Sequence, residues 1–476
     1  MKINSAKIHR FGGVADLNFD GIVNEKNEAI EKIFENCVAE AKTANRIPAE
    51  AFDSYKVKKG LREKDGTGVM AGVTNIGNAH GYVMYEGDRI ADDGKLEYRG
   101  MDMTKIVDGV RAEERYGFEE CVYLLLFGKL PTKDELESFN ELIASKRHLP
   151  PRFTEDVLMK VPSPSIMNMM AMGVLALYSY DNNPDDTRIE NVVRQSVDII
   201  ARLPVIAAHS YSVYRSNFHN KSLTLHVPKD DLSTAQNFLR VLRSDKKYTE
   251  EEARLLDLCM IIQAEHGGGN NSTFTCRVIS SSGTDTYSAI SAAIGSLKGP
   301  LHGGANIKVQ EMFDDMKEHI RDVHDEEEVV SYINKILRGE AWNGKGIVYG
   351  MGHAIYTKSD PRAVILKKYA EDLAIRKGYG DDFKLLETIE RVTPELFNAY
   401  RGLNKPMCAN VDLYSGLVYR MLDIPVEMYT PLFAISRVSG WCAHRIEELE
   451  TAKKIIRPGY KCIAKKQEYT PLSERD

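Results

Sequence analysis

Along most of this chain, apolar residues return every three to four positions, and that spacing constrains the fold more than any single motif. Over 361–377, Leu366, Tyr369, Ala370 and Leu373 fall at i, i+3, i+4 and i+7, a single stripe on one helical face. Asp360 is expected as the N-cap of that helix, Pro361 as its first residue, and Gly378 just past its last turn. Thr249 with Glu252 has capping-box spacing ahead of the stripe Leu255, Leu258, Cys259 and Ile262, and Thr132 with Glu135 repeats the device. Ser163-Pro164 is expected to open a Met-rich helix running to Tyr180, its methionines read as core filler rather than ligands. The acidic run Asp322 to Glu328 reads as a helix start, where carboxylates suit the positive end of the dipole. Strand-like alternation is confined to short runs such as Tyr82 to Tyr85, and no βαβ alternation, internal repeat or low-complexity linker is present. The expected class is all-α, with residues 1–60 as a polar, helical, peripheral or subunit-contact segment.

At 476 residues the chain can bury a large core without disulfide or metal staples. Its 63 Lys and Arg against 69 Asp and Glu give a net charge of −6, which argues against a dedicated nucleic-acid binder. The seven cysteines are scattered, with no CxxC pair, as in a reduced, cytoplasmic protein, and metal-ligand spacing is absent. The first 21 residues lack an apolar signal core, and the most apolar run, Ser165 to Tyr180, is too short for a membrane span and is broken by Asn168.

Three motif matches fail on context. Gly66-Thr-Gly68-Val-Met-Ala71 fits a dinucleotide fingerprint, but the charged stretch Leu61 to Asp65 stands where a buried strand is required. Gly339 to Lys345 approximates a phosphate loop, then offers Gly346 where a Ser or Thr should hold magnesium. His266-Gly-Gly-Gly269 suggests an esterase oxyanion loop, yet no GxSxG nucleophile occurs.

Four clusters remain, each a reactive side chain beside Gly, Asn or Asp and just ahead of a helical run. They are His266 with Asn270, Leu301-His302-Gly-Gly-Ala-Asn306, Gly352-His353 leading to Asp360-Pro-Arg362, and Asn410-Val-Asp412. Small neighbours let a ligand approach closely, and a helix start adds free N–H groups and a positive dipole end. Such an end also disfavours imidazolium, so a histidine there stays neutral and donates a hydrogen bond.

These residues carry a strong resemblance to the citrate synthase family, from about Gly72 to the C-terminus. Its further markers are Leu96-Glu-Tyr-Arg-Gly100, Tyr123 to Thr132, Ser415-Gly416 and Arg457-Pro458, with GPLHGGAN and NVD…SG in that order. The resemblance implies a nearly all-α, two-domain fold: large-domain parts at 61–302 and 417–476, and a small domain at 303–416 that closes over the substrates. It implies an acyltransferase that condenses acetyl-CoA with oxaloacetate, then hydrolyses the citryl thioester. It also implies His302, His353 and Asp412 as catalytic residues, with Asp412 the base, His302 the donor to the acetyl-CoA carbonyl and His353 polarising the ketone. His266, Asn270, Arg362, Arg437 and Arg457 are implied as substrate contacts, with Arg457 reaching the neighbouring site of a homodimer. The family is metal-independent and binds no permanent cofactor, coenzyme A entering as a thioester substrate; no nucleic-acid or membrane partner is expected.

Against this, Asp412 near a helix start should be a weakened base, unless closure of the site desolvates it. Ala354 and Thr357 stand where family members often carry cations, with Lys358 one residue on. The nearest competing activity is 2-methylcitrate synthase, which uses propionyl-CoA; more distant are a non-catalytic homologue that binds CoA or oxaloacetate and a nucleotide-binding protein using the Gly339 segment.

Overall fold

The computed structural model describes residues 22–63 and 66–475. The N-terminal signal-core reading and the first third of the expected polar segment fall on residues outside these. The chain divides into two compact units, one of residues 1–65 with 460–476 and one of 66–459. In the first unit, α1 (Ile22–Ala44) and α2 (Ala49–Ser54) are helical, and from residue 30 onward they are almost entirely exposed.

The second unit opens with an antiparallel hairpin, β1 (Gly77–Tyr85) and β2 (Asp88–Tyr98), followed by the short β3 (Met101–Asp102). Only Tyr82 to Tyr85 of this was expected as strand. Glu86 and Gly87 both take positive φ, 50° and 91°, the turn whose twist matches a two-residue hairpin. Helices make up the rest: α3 (Met103–Ala112), α4 (Phe118–Phe127), α5 (Lys133–Lys146), α6 (Ile166–Leu177), α7 (Ile189–His219) and α8 (Thr234–Leu242). After them come α9 (Glu250–Gln263), α10 (Asn271–Ser280), α11 (Thr286–Leu297), α12 (Ala305–His319), α13 (Glu326–Leu337) and α14 (Pro361–Arg376). The series ends with α15 (Gly380–Arg401), α16 (Val411–Met421) and α17 (Tyr429–Thr451).

Local signals explain these boundaries. Both capping boxes form at α5 and α9, Asp360 caps α14 ahead of Pro361, and Gly378 follows at φ +80°. Asp325 caps α13 inside the acidic run. The Met-rich helix starts later than expected, at Ile166, because Ser165 rather than Ser163 accepts the bond from Asn168 N–H. Met167, Met169 and Met170 are buried, as core filler should be.

Helix α17 runs through the centre. Ala434, Val438, Trp441 and Cys442 are fully enclosed, packed with α4, α7, α9, α10 and α11. It also carries Arg437 into the interior, next to the loops that follow α9 and α11. No described helix is long and apolar enough to cross a membrane.

Candidate active site

Three short loops and three helices, α14, α16 and α17, bring the candidate residues together. The first loop leaves the C-terminus of α9 and places His266 in the core, 5% exposed. Its reversal uses Gly267 at φ +84°, whose N–H bonds the Glu265 carboxylate. Glu265 is fully buried and accepts from His444 Nε2 at 2.9 Å; Arg277 donates to the other nitrogen of that ring. Burial pushes the Glu265 carboxyl up, but His444 and Arg437 outweigh it and hold it below the usual range.

Asn270 caps α10, and its Oδ1 accepts from the Ser272 hydroxyl at 2.9 Å. Ser272 also faces His302: its backbone N–H, free of an intrahelical acceptor in the first turn of α10, points at His302 Nε2 across 3.4 Å. Ser272 Oγ lies nearer still, 3.1 Å from the same nitrogen, so Ser272 anchors the His302 ring through Nε2. Burial, then the Arg437 charge, lowers the His302 pKa to about 4. The loop is tight because a Cβ on Gly303 would overlap the Leu297 carbonyl oxygen.

The third loop carries His353 and is laced to the start of α16. Gly352 N–H donates to Cys408 O at 2.8 Å, Asn410 N–H to Gly350 O at 2.9 Å, and Asn410 Nδ2 to Gly352 O at 2.9 Å. His353 Nδ1 accepts from Ile355 N–H at 3.0 Å and Tyr356 N–H at 3.2 Å, so its proton sits on Nε2. Its ring stacks on Tyr356 at 4.7 Å and meets the edge of His266 at 5.2 Å.

Asp360 ties the cations to the base. Its carboxylate holds Arg362 through Nε at 3.0 Å and Nη2 at 2.7 Å, and also accepts Val411 N–H at 3.1 Å, beside Asp412. Burial alone would lower the Arg362 pKa, but Asp360 raises it. The sequence marked Asp360 only as a cap; its second bond, to a residue 51 positions away, has no local signal.

The expectation that its helix start makes Asp412 a stronger acid is overturned. Desolvation is the largest effect and lifts its pKa to about 6, against the lowering by Arg362.

Burial pushes Arg437 down to about 10, with Glu265 opposing. It is fully buried, and its Nε donates to Gln263 O at 2.7 Å. Both of its Nη atoms, His266 Nε2 and the Tyr356 hydroxyl are buried without a hydrogen-bond partner. His266 is held well below its ordinary pKa by burial first and then by Arg362, His353, Arg437 and His302, so it is neutral at pH 7 and those groups share one neighbourhood. Such a concentration of donors and cations suits a small polyanion rich in acceptors.

Of the expected residues, Arg457 alone stands apart: it lies exposed after α17, and among the described residues none forms a hydrogen bond or ion pair with its side chain. Sequence reasoning also missed Tyr356, Ser272 and the Glu265–His444 pair. Gly416 lies inside α16, where a Cβ would crowd Asn306 and Gln310 of α12. Among the described residues, no group of three or more His, Cys, Asp or Glu could hold a metal ion.

A sequence model described as the citrate synthase C-terminal domain matches residues 66–459. A citrate synthase from Synechocystis is 35% identical over 387 residues, 80% of this chain and 89% of the relative. A 2-methylcitrate synthase from Shewanella oneidensis is 33% identical over 76% of this chain and 87% of its own length. The citrate synthase of Thermoplasma acidophilum, solved with carboxymethyl coenzyme A and oxaloacetate, superposes with a TM-score of 0.71 at 28% identity, covering 88% of this chain and 99% of that one.

Proposed function

The chain belongs to the citrate synthase family, and we propose that His302, His353 and Asp412 divide its chemistry among them. As a citrate synthase it is an acyltransferase, condensing acetyl-CoA with oxaloacetate and water to give citrate and free CoA. The Asp412 carboxylate takes a proton from the thioester methyl group while the His302 ring N–H stabilises the developing enol oxygen. The nucleophilic carbon attacks the oxaloacetate ketone, whose oxygen takes a hydrogen bond from His353 Nε2–H. Water then cleaves the citryl thioester and CoA leaves as the thiol. Arg362, Arg437, His266 and Asn270 hold the dianion, guanidinium forks being suited to carboxylates.

The observation that carries this division is the tautomer of His353, whose Nδ1 accepts two backbone N–H bonds, beside a His302 that burial keeps neutral. An Asp pKa near 6 also suits a base working at neutral pH.

The homodimer belongs to this reading, with Arg457 serving the partner's site. So does closure of residues 303–416 over the substrates. A cytoplasmic location accords with seven free cysteines.

The test is release of free thiol when acetyl-CoA and oxaloacetate are supplied together, expected for the wild type and reduced about 10²–10³-fold in His302→Ala and His353→Ala. No release from the wild type at any pH would overturn the reading. A kcat/KM for acetyl-CoA above that for propionyl-CoA separates citrate from 2-methylcitrate synthesis.

A further inference from the structure

Tyr356 lies three residues beyond His353, in a loop where a tyrosine attracts no attention by sequence. Its side chain is 2% exposed, and its hydroxyl is buried with no hydrogen-bond partner. A buried phenol normally finds an acceptor, because leaving the group unsatisfied costs about 1–3 kcal/mol. The ring is held on three sides: stacked on His353 at 4.7 Å, edge-on to His266 at 5.5 Å, and under the Arg362 guanidinium at 5.5 Å. The hydroxyl lies in the fields of both Arg362 and Arg437. The Nη atoms of Arg437 and Nε2 of His266 are unpartnered in the same neighbourhood.

We propose that Tyr356 is a substrate-binding residue, its hydroxyl donating to a carboxylate oxygen of the bound 2-oxo dicarboxylate while its ring fixes the plane of His353. The proposal rests on the reading that oxaloacetate binds here. The carboxylate, rather than the ketone, is the acceptor because the hydroxyl feels two guanidiniums, which gather carboxylates, whereas the ketone belongs to His353 Nε2–H. Oxaloacetate presents four carboxylate oxygens and one ketone oxygen, all acceptors, to a site of unsatisfied donors. The phenol of Tyr356 has its pKa raised, by burial first, and so remains a proton donor across the working range.

The hydroxyl and the ring are separable. In Tyr356→Phe the ring and its stacking remain, so kcat and the KM for acetyl-CoA should stay near wild type. The KM for oxaloacetate should rise about 10- to 100-fold, as expected for a lost hydrogen bond to a charged group. Without substrate the variant should melt no lower than wild type, because the hydroxyl it loses bonds nothing there. The upward shift in melting temperature on adding oxaloacetate should shrink. Tyr356→Leu removes the ring as well and should lower kcat. An unchanged oxaloacetate KM and thermal shift in Tyr356→Phe, with an active wild type, would overturn the proposal. So would a lower substrate-free melting temperature with an unchanged KM, the mark of a structural hydroxyl. A wild type that releases no CoA but is stabilised by oxaloacetate would defeat the enzyme reading alone, and the thermal shift would still decide Tyr356. A wild type with no oxaloacetate shift would defeat both.

Discussion

At Asp412, the first turn of a helix and the desolvation of a carboxyl pull acid strength in opposite directions, and desolvation prevails: its pKa is about 6 against an ordinary 3.8. The folded chain therefore holds this proton more tightly than the unfolded one. The group's stabilising contribution is full below about 3.8 and is lost as pH rises through about 6. At pH 7.5 the ionised carboxylate costs on the order of 2–3 kcal/mol. Asp412→Asn should accordingly melt higher than wild type at pH 7.5, with the gain vanishing near pH 4, while thiol release falls about 10²-fold or more. Calorimetry at the two pH values checks the first claim. A wild-type kcat that climbs with pH through about 6 checks that the ionised form is the working one. Arg437 poses a related question of geometry. Arg437→Lys keeps a charge but loses the planar fork, so its oxaloacetate KM should rise about tenfold or more, measured against an unchanged acetyl-CoA KM. The histidines, Asp412 and Arg362 were legible as a set, in order and beside small or capping residues, and the family resemblance supplied their roles. Asp360 and Tyr356 were not, since a cap and a loop tyrosine look ordinary until the fold shows what they touch.

The hairpin shows why an element can escape periodic reading. Strand β2 reads Asp-Arg-Ile-Ala-Asp-Asp-Gly-Lys-Leu-Glu-Tyr, with acids and a glycine where β-branched residues would mark a strand. Its reason for existing lies elsewhere in the chain, in the His353 loop. A Cβ on Gly81 would come within 2.6 Å of Tyr356 Cα, and one on Gly94 would overlap the Ser359 carbonyl oxygen. Gly94 N–H donates to Ser359 Oγ at 3.0 Å, the Thr357 hydroxyl bonds Gly81 O, and Arg89 Nη2 reaches Ile355 O at 3.1 Å. Thr357, at a position where family members often carry a cation, instead fastens the loop to the hairpin. Gly94→Ala must displace the segment between His353 and Arg362. It should cost about 1–3 kcal/mol of stability and also lower kcat. Gly109→Ala is the control: that glycine is exposed in α3 with open space around it, and alanine there should stabilise by about 0.5–1 kcal/mol without touching the rate. Denaturant midpoints and thiol release on both variants separate loop displacement from a general effect of added bulk. The capped helices, by contrast, were readable because their start signals and stripes are local.

Over the whole molecule, a net charge of −6 coexists with a candidate site built around Arg362 and Arg437, so the overall sign describes the surface rather than the interior. One chain brings two of the three expected arginines to that site; Arg457 is exposed, and none of the described residues engages its side chain. If Arg457 serves the site of a second copy, catalysis becomes a property of the dimer, and its loss can be complemented. Arg457→Ala and Asp412→Ala, each nearly inactive alone, would on mixing form hybrids in which one site carries both lesions and the other neither. With free exchange of equal amounts, half of the dimers are hybrids and one of their two sites works, so activity should recover to about a quarter of wild type. An arginine acting within its own chain gives hybrids whose two sites each carry one lesion, and no recovery. Mass measurement of the hybrid fraction alongside thiol release distinguishes the two, because proven exchange without recovery would leave Arg457 outside the partner's site.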